Sequence, residues 1–313
     1  MWTGLIAHPA CFGHAPPPGH PESADRLRAV IRAFEHRDFQ DLVRLEAPLA
    51  CERDLLRAHS ALHVANVTGR FADAAREDGY VHIDADTVMT PGSVEAALRA
   101  AGAVIAAVDE VHAGRLRNAF CAVRPPGHHA ERARAMGFCL FNNIAIGALH
   151  ARQSHGYRRV AIVDFDVHHG NGTQEIFFAD SDAFYASSHQ WPFYPGTGCT
   201  TDRGIARNVL NVPLAAGAGS REFRAAYETA ILPALARFGP HFVFISAGFD
   251  AHRNDPLAEL RLGEGDFAWA TAAICEVART CCGGRVVSVL EGGYDLDALA
   301  RSASAHVRAL MEA

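Results

Sequence analysis

The sequence predicts an α/β protein with a mostly parallel central sheet and helices on both faces. Short apolar runs rich in Val, Ile and Phe alternate along the chain with longer segments of helical spacing. This alternation is typical of strand–helix–strand units. The clearest runs are apolar at nearly every position, which indicates strands that are covered on both faces of the sheet.

Six runs are strand candidates and five segments between them are helix candidates. The strand candidates are residues 119–123, 160–165, 242–246 and 286–290, with weaker patterns at 183–187 and 209–212. The helix candidates are residues 93–112, 142–153, 222–238, 266–280 and 297–311. Ser93 is a candidate N-cap of the first helix, and Gly114 is placed to end it. The Pro- and Gly-rich segments are too short to be linkers, so we expect a single domain over residues 1–313.

Composition and charge exclude several classes of protein. The net charge of the 313-residue chain is −6, and no basic tract is present, so we do not expect nucleic-acid binding. No run of 18 apolar residues predicts a membrane span, and the N-terminal segment lacks the basic start of a signal peptide. The eight cysteines form no CxxC pair, which favours reduced thiols. We therefore expect a cytoplasmic location.

Polar segments follow four of the predicted strands. They are RPPGHH, beginning at Arg124, DVHHGNG, beginning at Asp166, GFD, ending at Asp250, and EGGY, ending at Tyr294. The carboxyl ends of the strands form the ligand crevice in open α/β sheets. The four segments are therefore expected to converge on one site, which is the main argument from the residues for an enzyme.

Asp164, Asp166 and His168 alternate along one predicted strand and so lie on one side of it. Burying three titratable groups is costly unless a cation or hydrogen bonds compensate. With Asp250 as a third ligand, Asp166 and His168 suit a catalytic zinc site. The oxygen-rich set would also accept iron(II) or cobalt(II). Alternatively, Asp250 caps a helix while Asp166 and His168 share a buried hydrogen bond.

Two further segments offer groups for proton transfer and for stabilising a negatively charged oxygen. His128 and His129 follow a predicted strand in a Pro-stiffened turn and offer two imidazoles for proton transfer. Tyr294 follows two glycines, which permit a sharp turn that aims its phenol at a carbonyl. The alternatives are a pair of surface histidines and a tyrosine packed against the fold.

Five segments in order resemble the zinc-dependent histone deacetylase family, which includes acetylpolyamine amidohydrolases and acetoin-utilisation proteins and shares its fold with arginase. The segments are RPPGHHA, VDFDVHHGNGTQ, SSHQWPFYPGTG, SAGFDAHRNDPL and LEGGY. The resemblance extends from about His8 to Tyr294 and implies a single-domain arginase/deacetylase-like fold. His20-Pro21-Glu22 and Asn171 resemble the class II branch of the family.

The resemblance implies a role for each residue of these segments. Asp166, His168 and Asp250 would bind one zinc ion, and His129 would be the general base and acid, with Asn171 as its partner. His128 would be an electrostatic partner oriented by Asp164, and Tyr294 would stabilise the oxyanion. A structural potassium ion is implied near Asp164, Ser187 and Ser188, together with the segment of Asp166 and His168. Alternatively, Asp164 has only a structural role, accepting a hydrogen bond from His128; this role is compatible with both the zinc and the potassium ion.

The same resemblance implies a narrow channel for an acylated side chain. Phe138, beside Gly137, and Tyr194 match its two aromatic walls, although each aromatic alone also fits a core position. Asp84 resembles the acid at the rim that holds substrate amides, with the neighbouring Asp86 and a turn-capping role as alternatives.

Leu257 stands where polyamine-selective relatives have Glu. This favours acyl-lysine in a peptide or protein as substrate, with acetylpolyamines or other small acetylated amines second. The rival interpretations are a two-manganese, arginase-like ureohydrolase and an acyl-lysine binding module without turnover.

Overall fold

An eight-stranded parallel sheet forms the centre of the protein in the computed structural model, which describes residues 2–313. The strands over these residues are β1 (Trp2–Ala7), β2 (Val43–Glu46), β3 (Val81–His82), β4 (Val88–Met89), β5 (Leu116–Cys121), β6 (Val160–Asp164), β7 (Ala183–Gln190), β8 (Val209–Leu214), β9 (Phe242–Ala247) and β10 (Val286–Leu290). The order across the sheet is β2-β1-β5-β10-β9-β6-β7-β8, and every neighbouring pair is parallel. The short strands β3 and β4 pair separately as an antiparallel hairpin.

Helices connect most of the parallel strands, and a long loop, residues 191–208, connects β7 to β8. The helices are α1 (Ala24–Ala33), α2 (Glu52–Leu55), α3 (Ala61–Ala65), α4 (Phe71–Asp78), α5 (Ser93–His112), α6 (Asn143–His155), α7 (Asn171–Phe177), α8 (Ser220–Ala226), α9 (Leu232–Phe238), α10 (Glu264–Cys282) and α11 (Leu296–Glu312). Helices α5 and α6 pack together against the sheet, and α1, α10 and α11 form a second group. Strands β6, β9 and β10 between them are buried throughout. None of the helices within residues 2–313 has the length and apolar composition that crossing a membrane requires.

The predicted α/β fold with a parallel sheet is confirmed, and each predicted strand and helix is present with small shifts of its ends. Ser93 is not the N-cap of α5, because Gly92 holds that position and the Ser93 hydroxyl accepts a hydrogen bond from the Thr90 amide at 2.7 Å. The helix predicted at 222–238 contains a π turn, Tyr227–Ile231, between α8 and α9. The assignment of residues 1–313 to one catalytic domain stays a prediction.

The register of the sheet brings the four polar segments to one edge. Asp164 at the end of β6 lies opposite Ser246 of β9 and Ser187 of β7. Leu290 at the end of β10 lies opposite Ala247 at the end of β9. Because these strands are parallel and end at nearly the same level, the chain leaves all of them on the same side of the sheet, where a site can form.

Candidate active site

Asp166, His168 and Asp250 lie together beneath this edge. Nδ1 of His168 is 3.1 Å from Oδ1 of Asp166 and 3.2 Å from Oδ2 of Asp250. Their potential ligand atoms all lie within 4.8 Å of one another, and both carboxylates are fully buried. Asp250 caps no helix: its Oδ1 accepts a hydrogen bond from the Val167 amide at 2.9 Å. The helix-cap interpretation of Asp250 is therefore wrong.

Backbone amides and glycines shape the space around these carboxylates. Oδ2 of Asp166 accepts a hydrogen bond from the Gly292 amide at 2.8 Å, and Oδ1 accepts one from the His168 amide at 2.9 Å. A Cβ at Gly292 would collide with the facing carboxylate oxygens of Asp166 and Asp250, and a Cβ at Gly248 would collide with Asp166. Because neither glycine has a side chain, a small pocket remains free beside the carboxylates. It is lined by two carboxylate oxygens and one ring nitrogen.

The electrostatics of the trio require a positive charge. Burial and the neighbouring Asp166 raise the pKa of Asp250. Burial disfavours the charged form of His168, but hydrogen bonds to Asp166 and Asp250 raise its pKa to about 10. Without a metal, the imidazolium supplies the cation that two adjacent buried carboxylates need. A divalent ion would supply the same charge, and one nitrogen with two carboxylates is a donor set that zinc accepts. The residues therefore fit such an ion.

His128 and His129 lie beside the trio and are buried, with 2% and 4% of their surfaces exposed, so the surface interpretation of this pair is wrong. Nδ1 of His128 is 3.0 Å from Oδ2 of Asp164, as expected from the sequence, and the Tyr185 hydroxyl donates to the same oxygen at 3.0 Å. Burial disfavours the charged form of His128, but Asp166 and Asp164 raise its pKa to about 10. The two neighbouring carboxylates therefore favour the imidazolium form of His128.

His129 has the opposite electrostatic state. Its Nδ1 is 2.8 Å from Oδ1 of Asn171, the partner expected from the sequence. Burial and the charges on His128 and His168 hold the pKa of His129 well below its ordinary value. Its Nε2 is therefore an unprotonated proton acceptor at neutral pH if Nδ1 donates to the Asn171 oxygen. The two histidines thus have different pKa values and can act differently.

Giving His129 a carboxylate partner is expected to raise its pKa. Nδ2 of Asn171 donates to Glu131 at 2.7 Å, so Asn171→Asp is best made together with Glu131→Gln, which restores a donor. A carboxylate at this distance raises the pKa of an imidazole by about 1–3 units. His129 must be neutral to accept a proton, so activity is lost as pH falls through its pKa. In the double variant, the acidic limb of the kcat/KM profile should therefore move to higher pH by about the same 1–3 units.

Glu131→Gln alone is the matched control for this pH profile. Its acidic limb should stay below pH 6.5, like that of the unmodified protein, because the pKa of His129 is depressed from its ordinary value of 6.5. An unchanged limb in the double variant would contradict the pairing of Asn171 with a base at His129.

A narrow cavity of about 90 Å³ leads from the surface to these groups. Its wall includes all the following residues: Asp86, Pro126, His128, His129, Gly137, Phe138, His168, Tyr194, Leu257, Gly292 and Tyr294. Phe138 has a φ of 67°, an uncommon value for a non-glycine residue, and its ring lies 5.9 Å from that of Tyr294. The Tyr194 ring lies edge-on to His129 at 5.3 Å and is 37% exposed at the mouth. Gly137 lies against the His129 ring and leaves no room for a Cβ.

The structure places Asp86, rather than Asp84, on the cavity wall. Oδ1 of Asp84 accepts hydrogen bonds from the amides of Asp86 and Thr87 at 3.1 Å and 2.7 Å. This is the turn-capping arrangement that short acidic side chains favour. Asp84 therefore does not line the cavity as expected and Asp86 does, with its pKa raised by burial and by Asp84; a role for Asp86 as the rim acid is a prediction.

Tyr294 is held from below by three buried charged residues: Glu22 and Arg124, which lie in segments that carry the family resemblance, and Arg26, which no sequence pattern indicated. The Arg26 guanidinium lies 4.7 Å from the centre of the Tyr294 ring and donates to the backbone oxygens of Gly293 and Glu291, both at 2.5 Å. Glu22 pairs with Arg26 at 2.9 Å and with Arg124 at 2.5 Å, and all three side chains are fully buried. This network fixes the loop that carries Tyr294.

Two further buried carboxylates orient catalytic segments. Oε2 of Glu291 accepts hydrogen bonds from the amides of Gly127 and His128, at 2.7 Å and 3.1 Å. Oδ2 of Asp255 accepts from the Tyr294 amide at 2.7 Å. Burial raises the pKa of each carboxyl to about 7. Glu291 thus links the histidine turn to the end of β10, and Asp255 links Tyr294 to the segment before Leu257.

Asp164 at the end of β6 lies opposite Ser187 within β7, and Ser188 is the next residue of that strand. The Ser187 hydroxyl is 2.9 Å from Nδ1 of His189, and the Ser188 hydroxyl donates to Tyr227 at 3.4 Å. Their side-chain oxygens are buried, as is Asp164. Oxygen donors suit a hard cation such as potassium. The residues fit the implied ion, and the potassium site stays a prediction.

A parallel α/β sheet whose carboxyl edge gathers carboxylates, imidazoles and a phenol at the end of a narrow cavity is the arrangement of a hydrolase. Comparison with known proteins agrees. The family model of the histone deacetylase domain matches residues 20–310. The chain therefore belongs to the histone deacetylase family.

Individual relatives cover most of the chain. Histone deacetylase 10, chloroplastic, of Oryza sativa is 40% identical over 93% of this chain and 70% of its own length. A probable deacetylase of Methanothermobacter thermautotrophicus is 41% identical over 93% of this chain and 86% of its own length. A histone deacetylase-like amidohydrolase of Pseudomonas aeruginosa is 41% identical over 93% of this chain and 75% of its own length.

A crystal structure of the HDA15 HD domain superimposes with a TM-score of 0.93 at 35% identity, over 99% of this chain and 88% of that one. The resemblance and the fold expected from the sequence are confirmed. The cytoplasmic location stays a prediction.

Proposed function

We propose that this protein is a metal-dependent deacetylase that hydrolyses the amide of acetylated lysine in peptides or proteins. The observation that carries the proposal is the buried trio of Asp166, His168 and Asp250 at the end of a narrow, aromatic-walled cavity that is also lined by a neutral histidine. A deacetylase needs each of these parts: a metal pocket, a slot for an alkyl chain and a proton acceptor beside them.

The chain's own residues account for the proton transfers. His129 is neutral and positioned to take a proton from the attacking water and return it to the departing amine nitrogen. Asp164 and Asp166 favour the imidazolium form of His128, which stabilises negative charge that develops beside it. Asn171 orients the His129 ring through Nδ1.

Asp166, His168 and Asp250 would hold zinc as the metal. When bound, such an ion supplies a Lewis acid for the carbonyl and lowers the pKa of a water. Burial holds the pKa of Tyr294 well above its ordinary value, so its phenol stays protonated and can donate a hydrogen bond to the carbonyl oxygen as charge develops there. The potassium ion proposed at Asp164, Ser187 and Ser188 would stabilise the strand ends behind this site.

The two rival interpretations require a different number of metal ions or no proton acceptor at this site. An arginase-like ureohydrolase needs two adjacent manganese ions, whereas the trio offers one nitrogen and two carboxylates around one pocket. An acyl-lysine binding module would need no proton acceptor beside the metal pocket. A depressed pKa at His129 and the phenol of Tyr294 in the same cavity favour turnover.

The cavity wall also favours acyl-lysine over an acetylpolyamine. Phe138 and Tyr194 suit an aliphatic stem. Leu257 at the wall offers no partner for the second ammonium group of a polyamine, and an unpaired buried charge is costly. Glu22 cannot hold that ammonium, because it is fully buried and paired with two arginines. An acetylated small amine without a distal charge is the second candidate substrate.

Leu257→Glu is expected to raise the kcat/KM ratio of acetylspermidine to an acetyl-lysine peptide by about ten- to a hundredfold. The basis is a charge-assisted hydrogen bond to the distal ammonium, about 1.5–3 kcal/mol. The unmodified protein should prefer the peptide. Parallel kcat/KM measurements on both substrates check this.

Leu257→Gln is the matched control, since it has the same length as Glu without its charge, and its ratio should change by only a few-fold. A preference of the unmodified protein for acetylspermidine would contradict the peptide assignment. In that case Asp86, an acid on the cavity wall, would be the next candidate to pair with the distal ammonium group. Turnover of neither substrate by the metal-loaded protein would contradict the proposed function itself.

A further inference from the structure

A second cluster of metal-binding residue types lies far from the active site. It consists of Asp109 in the last turns of α5, and His150 and His155 near and at the end of α6. Helix α6 begins beside the histidine turn and leads into β6, so its end lies where the strands begin. The cluster is therefore at the edge of the sheet opposite the cavity.

The three side chains converge on one point. Nε2 of His150 is 2.7 Å and Nε2 of His155 is 2.6 Å from the same oxygen, Oδ1 of Asp109. The two imidazole rings are nearly perpendicular, at 88°, with centroids 5.2 Å apart. His150 and His155 are five positions apart, a spacing that does not put two residues on one helix face. The end of α6 at His155, followed by Gly156 with a φ of 71°, lets both rings reach Asp109.

Neighbouring residues fix the two imidazole rings. The Ser154 hydroxyl lies 3.2 Å from Nδ1 of His150, and the His112 ring stacks on His155 with centroids 4.0 Å apart. His112 is itself held by the Tyr157 hydroxyl at 3.0 Å. Outer contacts of this kind orient the imidazole ligands of metal sites.

The local electrostatics favour a cation. The C-terminal ends of α5 and α6 both face this cluster, and each carries a partial negative charge from its helix dipole. Asp109 adds a full negative charge near one of these ends, where an acid alone is unfavourable. Oδ1 of Asp109 faces Nε2 of both imidazoles, and the side chain is partly exposed, so the carboxylate is available as a ligand.

We propose that Asp109, His150 and His155 bind a divalent transition-metal ion, with zinc as the best match. Two imidazoles and one carboxylate suit zinc and its first-row neighbours, whereas calcium and magnesium prefer oxygen ligands. The ion would bind Nε2 of each neutral imidazole in place of the hydrogen bond to Asp109, and the single ring proton of each histidine would then lie on Nδ1. The Asp109 side chain is 44% exposed, so water can complete the coordination, and the ion joins the ends of α5 and α6.

Zinc titration of the holoenzyme, dialysed to its active-site metal alone, tests this proposal. We expect isothermal titration and elemental analysis to show one further equivalent of zinc per chain. Saturation at a hundredfold excess over Kd should raise Tm by about 3–5 °C. Asp109→Asn and His155→Gln should each lose this equivalent and the rise in Tm, while deacetylase activity stays unchanged.

Two controls separate this site from its alternatives. His36→Gln removes an exposed histidine that pairs with Asp38 at 3.2 Å, and it should bind zinc as the unmodified protein does. Asp250→Ala removes the proposed active-site metal and should keep the equivalent at Asp109. No further equivalent in the unmodified protein, or an undiminished one in both Asp109→Asn and His155→Gln, would show that the cluster is only a set of hydrogen bonds.

Discussion

Asp250→Ala should abolish tight metal binding at the active site and lower deacetylase activity by about 1000-fold or more. The change removes one of the three proposed ligands that surround the pocket kept open by Gly292. Metal catalysis contributes several kcal/mol of charge stabilisation, and each 1.36 kcal/mol corresponds to tenfold in rate. Elemental analysis of the purified variant and turnover of an acetyl-lysine peptide measure the two losses.

Asp250→Asn separates the loss of charge from a loss of folding. An amide oxygen can still accept the hydrogen bond that the Val167 amide gives to Asp250, so this variant should unfold at nearly the same temperature as the unmodified protein. Its metal binding should nevertheless be strongly weakened, because a neutral amide is a poorer ligand than a carboxylate. A chelator should inactivate the unmodified protein, and added zinc should restore it. Full activity of Asp250→Ala without metal would refute the proposed centre.

The strands at the centre of the sheet could be predicted from the sequence because burial on both faces leaves continuous apolar runs. Strands β6, β9 and β10 are of this kind. Strands β1 and β2, at one side of the sheet, were not predicted, whereas the opposite edge strand β8 was. Strand β2 alternates between half-buried and exposed residues over four positions, and β1 begins with the exposed Trp2 and contains Gly4. Short segments with one exposed face have weak patterns that resemble loops.

Much of the candidate site followed from residues placed directly after strands. The period-of-two argument for Asp164, Asp166 and His168 holds only as far as Asp164, where β6 ends; Asp166 and His168 lie in the loop after the strand, and it is this loop that brings them together. The choice between Asp84 and Asp86 could not be made this way, since both lie in one turn and the backbone of that turn decides which carboxylate reaches the cavity. Periodicity does not determine loop geometry.

The burial of Arg26 below the site was also beyond the sequence patterns. Arg26 lies in α1, 267 positions from Gly293, whose backbone oxygen it binds. An arginine in an amphipathic helix is ordinarily exposed. Glu22, four positions before Arg26, is a local partner, but the backbone oxygens of Glu291 and Gly293 come from a distant part of the chain, so only the tertiary structure shows that Arg26 is fully buried.

Tyr294→Phe is expected to lower kcat by about 100- to 1000-fold, the usual cost of removing one well-aimed donor to an oxyanion. The phenol lies in the cavity with His129 and His168, and its high pKa keeps it protonated. KM should change little, because the hydroxyl acts where charge develops rather than on the bound amide.

The rest of the tyrosine is held by contacts that Phe preserves. Arg26 lies against the ring, Phe138 meets its edge, and Asp255 accepts a hydrogen bond from its amide. The variant should therefore fold, bind one zinc ion at the active site and retain affinity for a hydroxamate inhibitor within about tenfold. These binding measurements separate a catalytic hydroxyl from a structural one.

Tyr194→Phe is the matched control for this prediction. It removes a phenol hydroxyl from the same cavity wall and leaves an aromatic ring beside His129. Because Tyr194 lies at the mouth, 37% exposed, its hydroxyl is not needed at the carbonyl, and kcat should stay within a few-fold. If Tyr294→Phe also keeps its rate within twofold, the oxyanion donor is another group, and His128 on the same wall is the next to replace.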